Sequence, residues 1–87
     1  MKNIILNINE YNYLSSSEFL PPKLLQLLLN SSQNKAGHWL LIIPEEKVDD
    51  FRDLFIGQLQ VKGFDENYRL TREGEILESL IDKFFLG

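Results

Sequence analysis

From Asn3 to Asn9 the chain alternates in polarity: Ile4, Leu6 and Ile8 are apolar, Asn3, Asn7 and Asn9 polar, and Ile5 is the one exception. A period of two sends successive side chains to opposite faces, so this stretch reads as a strand over Lys2–Ile8 with one face buried. Tyr11 and Tyr13 resume the alternation in the opposite phase. An even period changes face only through an interruption, which places a turn or bulge at Asn9-Glu10 and a second short strand over Tyr11–Leu14.

Ser15-Ser16-Ser17 breaks the pattern, with Ser16 or Ser17 suited to cap a helical turn through Leu20. Pro21-Pro22 then opens a helix over Lys23–Asn30, since proline's missing N–H is no loss in a first turn. Five leucines between Leu24 and Leu29 leave only Gln26 polar, so this helix needs cover on most sides. Leu24-Leu25-Gln26-Leu27-Leu28 also matches the LxxLL groove-docking pattern, but leucines at this density in a small chain are core. Ser31–Gly37 is a polar loop. His38–Ile43 is an apolar run too short for a helix, and it reads as a central strand buried on both faces.

Pro44 introduces a helix over Glu45–Lys62 with carboxylates in its first turn, where the helix dipole favours them. Val48, Phe51, Phe55 and Leu59 recur every three or four residues as one apolar stripe. Asp49, Asp50 and Asp53 fall away from the middle of that stripe, and Ile56 projects roughly opposite it. Gly63 is expected to end the helix with positive φ. Phe64–Asn67 is a turn and Tyr68–Leu70 a short strand, after which Thr71 caps a helix over Arg72–Phe85. Ile76, Leu77, Leu80, Ile81, Phe84 and Phe85 form a doubled stripe on it, wide enough for two contacts. One contact is the sheet; the other is a helix of this chain or of a symmetric partner. The expected fold is thus α+β: a single-layer sheet of two to four short strands against two or three helices.

Composition narrows what such a fold does. At 87 residues there is room for one domain, 1–87, which buries roughly 60–65% of the surface its unfolded chain exposes. The content of 44% apolar and 25% charged residues is that of a folded domain rather than a disordered segment. Cysteine is absent, which removes disulfides and thiolate chemistry. No apolar run approaches a membrane span, and Met1–Glu10 lacks the features of a signal peptide, so the expectation is a cytoplasmic protein.

The net charge of −4 is unevenly placed. Residues 1–44 carry three basic and two acidic side chains, whereas residues 45–87 carry six basic and eleven acidic. The acidic half repels phosphate backbones, which disfavours nucleic acid and suits a basic protein partner, while also keeping the chain soluble.

Tyr68-Arg69-Leu70-Thr71 followed by Gly74 resembles the wing-to-helix junction of winged-helix regulators of the PadR and MarR type. The resemblance covers some fifteen residues and implies a wing strand feeding a C-terminal helix that often dimerises. The basic recognition helix of those families has no counterpart at the acidic Glu45–Leu59. In size, charge and α+β content the chain is also similar to barstar-like and other small acidic bacterial inhibitors, a likeness of type without a shared motif.

Catalytic motifs are missing from the sequence. There is one histidine, no HExxH, no phosphate-cradling glycine loop and no dinucleotide fingerprint. Around Asp65-Glu66-Asn67 the calcium-loop positions that need glycine and glutamate are not filled, position 12 being Ile76. His38 lacks a motif partner and reads as a boundary residue. The expectation is a non-enzymatic interaction module without cofactor or metal. Its partner-binding candidates are Asp49, Asp50, Asp53 and Ile56, and its partner is another protein or, through the C-terminal helix, a second copy. A winged-helix-like DNA regulator is the alternative.

Overall fold

The computed structural model describes residues 1–86, with the side chain of Leu86 left aside. The elements run β1 (Lys2–Leu6), α1 (Ile8–Ser15), α2 (Pro22–Leu29), β2 (Ser32–Gln33), β3 (Trp39–Ile43), α3 (Glu45–Lys62) and α4 (Arg72–Leu86). The three strands form an antiparallel sheet of order β1-β3-β2, an α+β arrangement with a small sheet packed against helices. The apolar run around Leu40 does supply the central strand.

Strand pairing sorts the side chains by face. Ile4 lies opposite Leu41 and Lys2 opposite Ile43, while Leu6 lies opposite Trp39. Of these, Ile4, Leu6, Leu41 and Ile43 are buried. All four helices contribute to the cluster that covers this inner face: Leu14 from α1, Leu24 and Leu28 from α2, Val48, Phe51 and Phe55 from α3, and Leu77, Leu80 and Phe84 from α4. At its centre the rings of Phe51, Phe55 and Phe84 meet with centroids 5.0–5.9 Å apart, in tilted and edge-on contacts. Burying each such ring stabilises the fold by about 2–3 kcal/mol. The other sheet face carries Asn3, Ile5, Leu40, Ile42 and Ser32, and it stays uncovered. β3 is therefore buried on one face only, and the expectation of two is corrected.

Several boundaries move, each for a local reason. β1 ends at Leu6 rather than Ile8, because Asn7 caps a helix. The expected Tyr11–Leu14 strand is the body of that helix, α1. Its buried positions are Glu10 and Leu14, an i,i+4 pair in which a charged residue occupies the inward site. The apolar periodicity is thereby broken, and the accidental alternation of Tyr11 and Tyr13 took its place. Glu18–Leu20 bends without forming a helical turn, and α2 starts one residue early, at Pro22, and stops at Leu29. β2 is a two-residue strand inside the loop, and His38 precedes β3 rather than opening it. Tyr68–Leu70 is no strand: a single bridge joins Phe64 to Leu70. Between them Asp65 Oδ1 accepts the N–H groups of Asn67 and Arg69, and Tyr68 takes a left-handed φ of 60°.

α3 and α4 are joined by a close backbone contact. The Thr71 N–H donates to the Gly63 carbonyl at 2.8 Å and its hydroxyl donates to the Lys62 carbonyl at 3.0 Å. The same hydroxyl accepts the Gly74 N–H at 3.0 Å, so one side chain closes the end of α3 and caps α4. Gly63 ends α3 with φ −77°, not the positive φ expected. What the junction requires is the absence of Cβ at Gly74, where a methyl would collide with the Gly63 carbonyl oxygen. Gly57, in the exposed middle of α3, has nothing within 4 Å of the same atom. Gly74→Ala is therefore expected to destabilise the protein by about 1–3 kcal/mol, and Gly57→Ala to stabilise it by up to about 1 kcal/mol. Urea unfolding of the two variants checks this, and equal midpoints would refute the close approach.

Candidate functional site

α3 turns Val48, Phe51 and Phe55 inward, and the opposite side of the helix carries Glu46, Asp49, Asp53 and Ile56 to solvent. Asp49 pairs with Arg52 at 2.7 Å, one turn along. The Arg52 guanidinium in turn lies 4.9 Å from the centroid of Phe85, an α4 ring that remains 69% exposed. Ile56 sits four residues after Arg52, on the same side of α3, and is itself exposed. Asp49, Ile56, Arg52 and Phe85 thus form one neighbourhood at the outer seam of the two helices.

Asp50 departs from that group. It approaches Lys47 at 3.7 Å and, with Asp53, borders a groove of about 390 Å³ between α3 and the start of α2. Lys23, Lys47, Leu24 and Leu54 are on the same walls, so the groove is electrically mixed. Of the four residues singled out from the sequence, Asp49 and Ile56 belong to the seam, and Asp50 and Asp53 to the groove. Exposed pairs such as Lys47–Asp50 contribute little to stability.

α4 adds what the sequence pattern did not assign. Its outward side bears Glu75, Glu78 and Asp82, all exposed, and none has a cationic partner among the described residues. Glu78 and Asp82 rim a shallow groove of about 320 Å³ whose floor is Leu59 of α3 and Ile81 of α4. Five of the six residues of α4's doubled stripe are accounted for within the chain, the exception being the exposed Phe85. Leu77, Leu80 and Phe84 are buried, Ile81 faces the seam with α3, and Ile76 faces a cleft shared with α1.

Two polar constellations lie apart from this surface. Glu10 is 2% exposed, yet its carboxylate is fully engaged. It accepts the Asn7 N–H at 2.9 Å, the Ser79 hydroxyl at 2.6 Å and the Lys83 ammonium at 2.5 Å, while Asn7 Oδ1 accepts the Glu10 N–H. Burial alone pushes this carboxyl up, but the hydrogen bonds from Lys83, Ser79 and Asn7, with the ammonium charge, hold it below its ordinary value near 4.5. Asn7-x-x-Glu10 is a capping-box pattern, the one sequence signal that pointed here. Nearby, Tyr13 donates to Glu73 at 2.9 Å, and burial, then that bond and charge, push its hydroxyl far up, so it stays a neutral donor. The pair edges a cleft of about 490 Å³ that also holds Ser17, Gln58 and Lys62. His38 is exposed in the β2–β3 loop, and Trp39 stacks on Tyr11 at 3.8 Å. Among the described residues no three His, Asp or Glu side chains group closely enough to hold a metal, and no helix is long and apolar enough to cross a membrane.

No family model, curated protein or solved structure matches this chain.

A carboxyl held below its unfolded value binds more protons when the chain unfolds. The stability Glu10 contributes is therefore complete above about pH 4.5 and is lost as pH falls through the lower folded value. Glu10→Gln is expected to cost about 1–3 kcal/mol at pH 7, with the difference from the unmodified protein shrinking at pH 3. Urea titrations at the two pH values check both parts.

Proposed function

We propose that this protein is a non-enzymatic, cytoplasmic interaction module that docks a basic protein partner on the outer seam of α3 and α4. The observation that carries the reading is the composition of that seam. Exposed Ile56 and Phe85 and the floor residues Leu59 and Ile81 offer apolar contact, and unpaired Glu78 and Asp82 stand at the rim. Asp49 and Asp53 extend the negative field along α3. Apolar anchors inside a charged margin are the usual anatomy of a recognition surface, with the charges setting encounter rate and partner choice. An acidic inhibitor of a basic enzyme, or a regulatory adaptor, acts in this way.

A second reading has one observation in its favour. The order β1, α1, α2, β2, β3 with sheet order β1-β3-β2 is similar to the strand–helix–helix–hairpin order of winged helices. It would put α2 in the position of the recognition helix and Lys35 in the hairpin loop as the wing, in place of the Glu45–Leu59 helix and the Tyr68–Leu70 wing strand that the sequence resemblance implied. This is fold-level analogy. α2 carries a single cation, Lys23, which is meagre for phosphate contact.

The test is a comparison of the unmodified protein with the double variant Asp49→Lys, Asp53→Lys. A partner captured by the former is expected to associate with the latter at least about tenfold more slowly at low salt, the gap closing as salt is raised. Unchanged association would overturn the first reading. Retention of duplex DNA at low salt, lost on Lys23→Glu, would establish the second in its place.

A further inference from the structure

His38–Ile43 is apolar at both phases of a strand, as a strand buried on both faces would be, yet the helices of this chain cover only one. On the other, Ile5 of β1 is 55% exposed and Ile42 of β3 is 51% exposed. Leu40 stands between them, facing Ile5 on one side and Ser32 on the other, and Asn3 faces Ile42. We propose that this outer sheet face, Ile5, Leu40 and Ile42 flanked by Asn3 and Ser32, is the contact by which two copies of the chain pair, sheet against sheet.

Charge selects the occupant. None of the five face residues is ionisable, although the chain as a whole carries −4 and most of its acids stand exposed on α3, α4 and the turn between them. Two copies meeting through their helices would bring those acids together, whereas meeting through the sheets keeps them on the far sides of the assembly. A different protein recognised here would need a neutral, apolar, small-polar surface of the same extent, and the second copy supplies one by construction. A two-fold contact uses the same patch twice, so apolar Ile42 and Leu40 on the central strand face their equivalents, with Asn3 and Ser32 nearer the margin. The product is a layered helix–sheet–sheet–helix body with sheets about 10 Å apart.

Size sets the strength. Two five-residue strands, β1 and β3, and the two-residue β2 give a face of roughly 200 Å², well under the ~800 Å² per partner of a standard interface. The dimer is therefore weak and concentration-dependent, with Kd in the range of about 10 μM to 1 mM.

Sedimentation equilibrium of the purified chain from about 10 μM to 1 mM tests this directly. The expected result is an apparent mass that rises from monomer toward dimer, with Ile42→Lys and Ile5→Lys staying monomeric throughout and Phe85→Ser dimerising like the unmodified protein. Both lysine positions are half exposed, so the fold is expected to survive them. Independently of any variant, backbone amide shifts in the unmodified protein should move with concentration at Asn3, Ile5, Leu40 and Ile42. A chain monomeric at 1 mM overturns the proposal, as does a dimer that persists in Ile42→Lys. Loss of the dimer in Phe85→Ser alone also overturns it, because the C-terminal helix would then be the interface. The outcomes at Ile5 and Ile42 leave the α3–α4 seam untouched, because the seam is read by partner association; only loss of the dimer in Phe85→Ser would move self-association onto it.

Discussion

A buried negative charge holds the two ends of this chain together. Glu10 lies in the first turn of α1 and its partners Ser79 and Lys83 lie one turn apart on α4, seventy-three residues away at the farther one. An isolated carboxylate taken out of water is costly enough that it would take up a proton instead. Here both carboxylate oxygens have donors, and one of the donors is a cation, so ionisation is favoured in spite of burial. The arrangement leaves little freedom. If α4 slid by a turn or α1 rotated, a charge would be left buried and unpaired, at several kcal/mol.

That constraint arranges the remaining layers. With α1 bolted to α4, and α4 joined to α3 through Thr71 and Gly74, the helices form one layer over the inner side of β1 and β3. The phenylalanine cluster fills the space between. The same one-sidedness leaves two surfaces of opposite character. One is the outer seam of the helical layer, acidic with apolar anchors; the other is the bare face of the sheet, apolar and without charge. They lie on opposite sides of the body, so the proposed partner and the proposed second copy would not compete.

Legibility in the sequence followed the strength of the local pattern. α3 could be read to both of its ends because eighteen residues repeat one stripe between Pro44 and Gly63, and α4 because Thr71 caps it and its apolar positions are dense. α1 was hidden since its inward position is Glu10, a residue whose burial only α4 makes tolerable. β2 was hidden for the opposite reason: Ser32 and Gln33 have no strand pattern and are ordered by pairing with β3. On the surface, Asp49, Asp53 and Ile56 could be placed on the outward side of α3 by helical spacing alone. The seam they border could not, because which of Glu75, Glu78 and Asp82 faces α3 depends on the rotation of α4, and that is set by Gly74 and Lys83 through contacts distant in sequence.

The bolt between α1 and α4 therefore rests on Glu10 being ionised inside the fold. Carbon-detected NMR titration of its side-chain carboxyl measures this most directly. A midpoint below 4.5 in the unmodified protein, moving upward when Lys83→Met removes the ammonium, is the predicted result. A midpoint at or above 4.5 that does not respond to Lys83→Met would contradict it, and with it the bolt between α1 and α4.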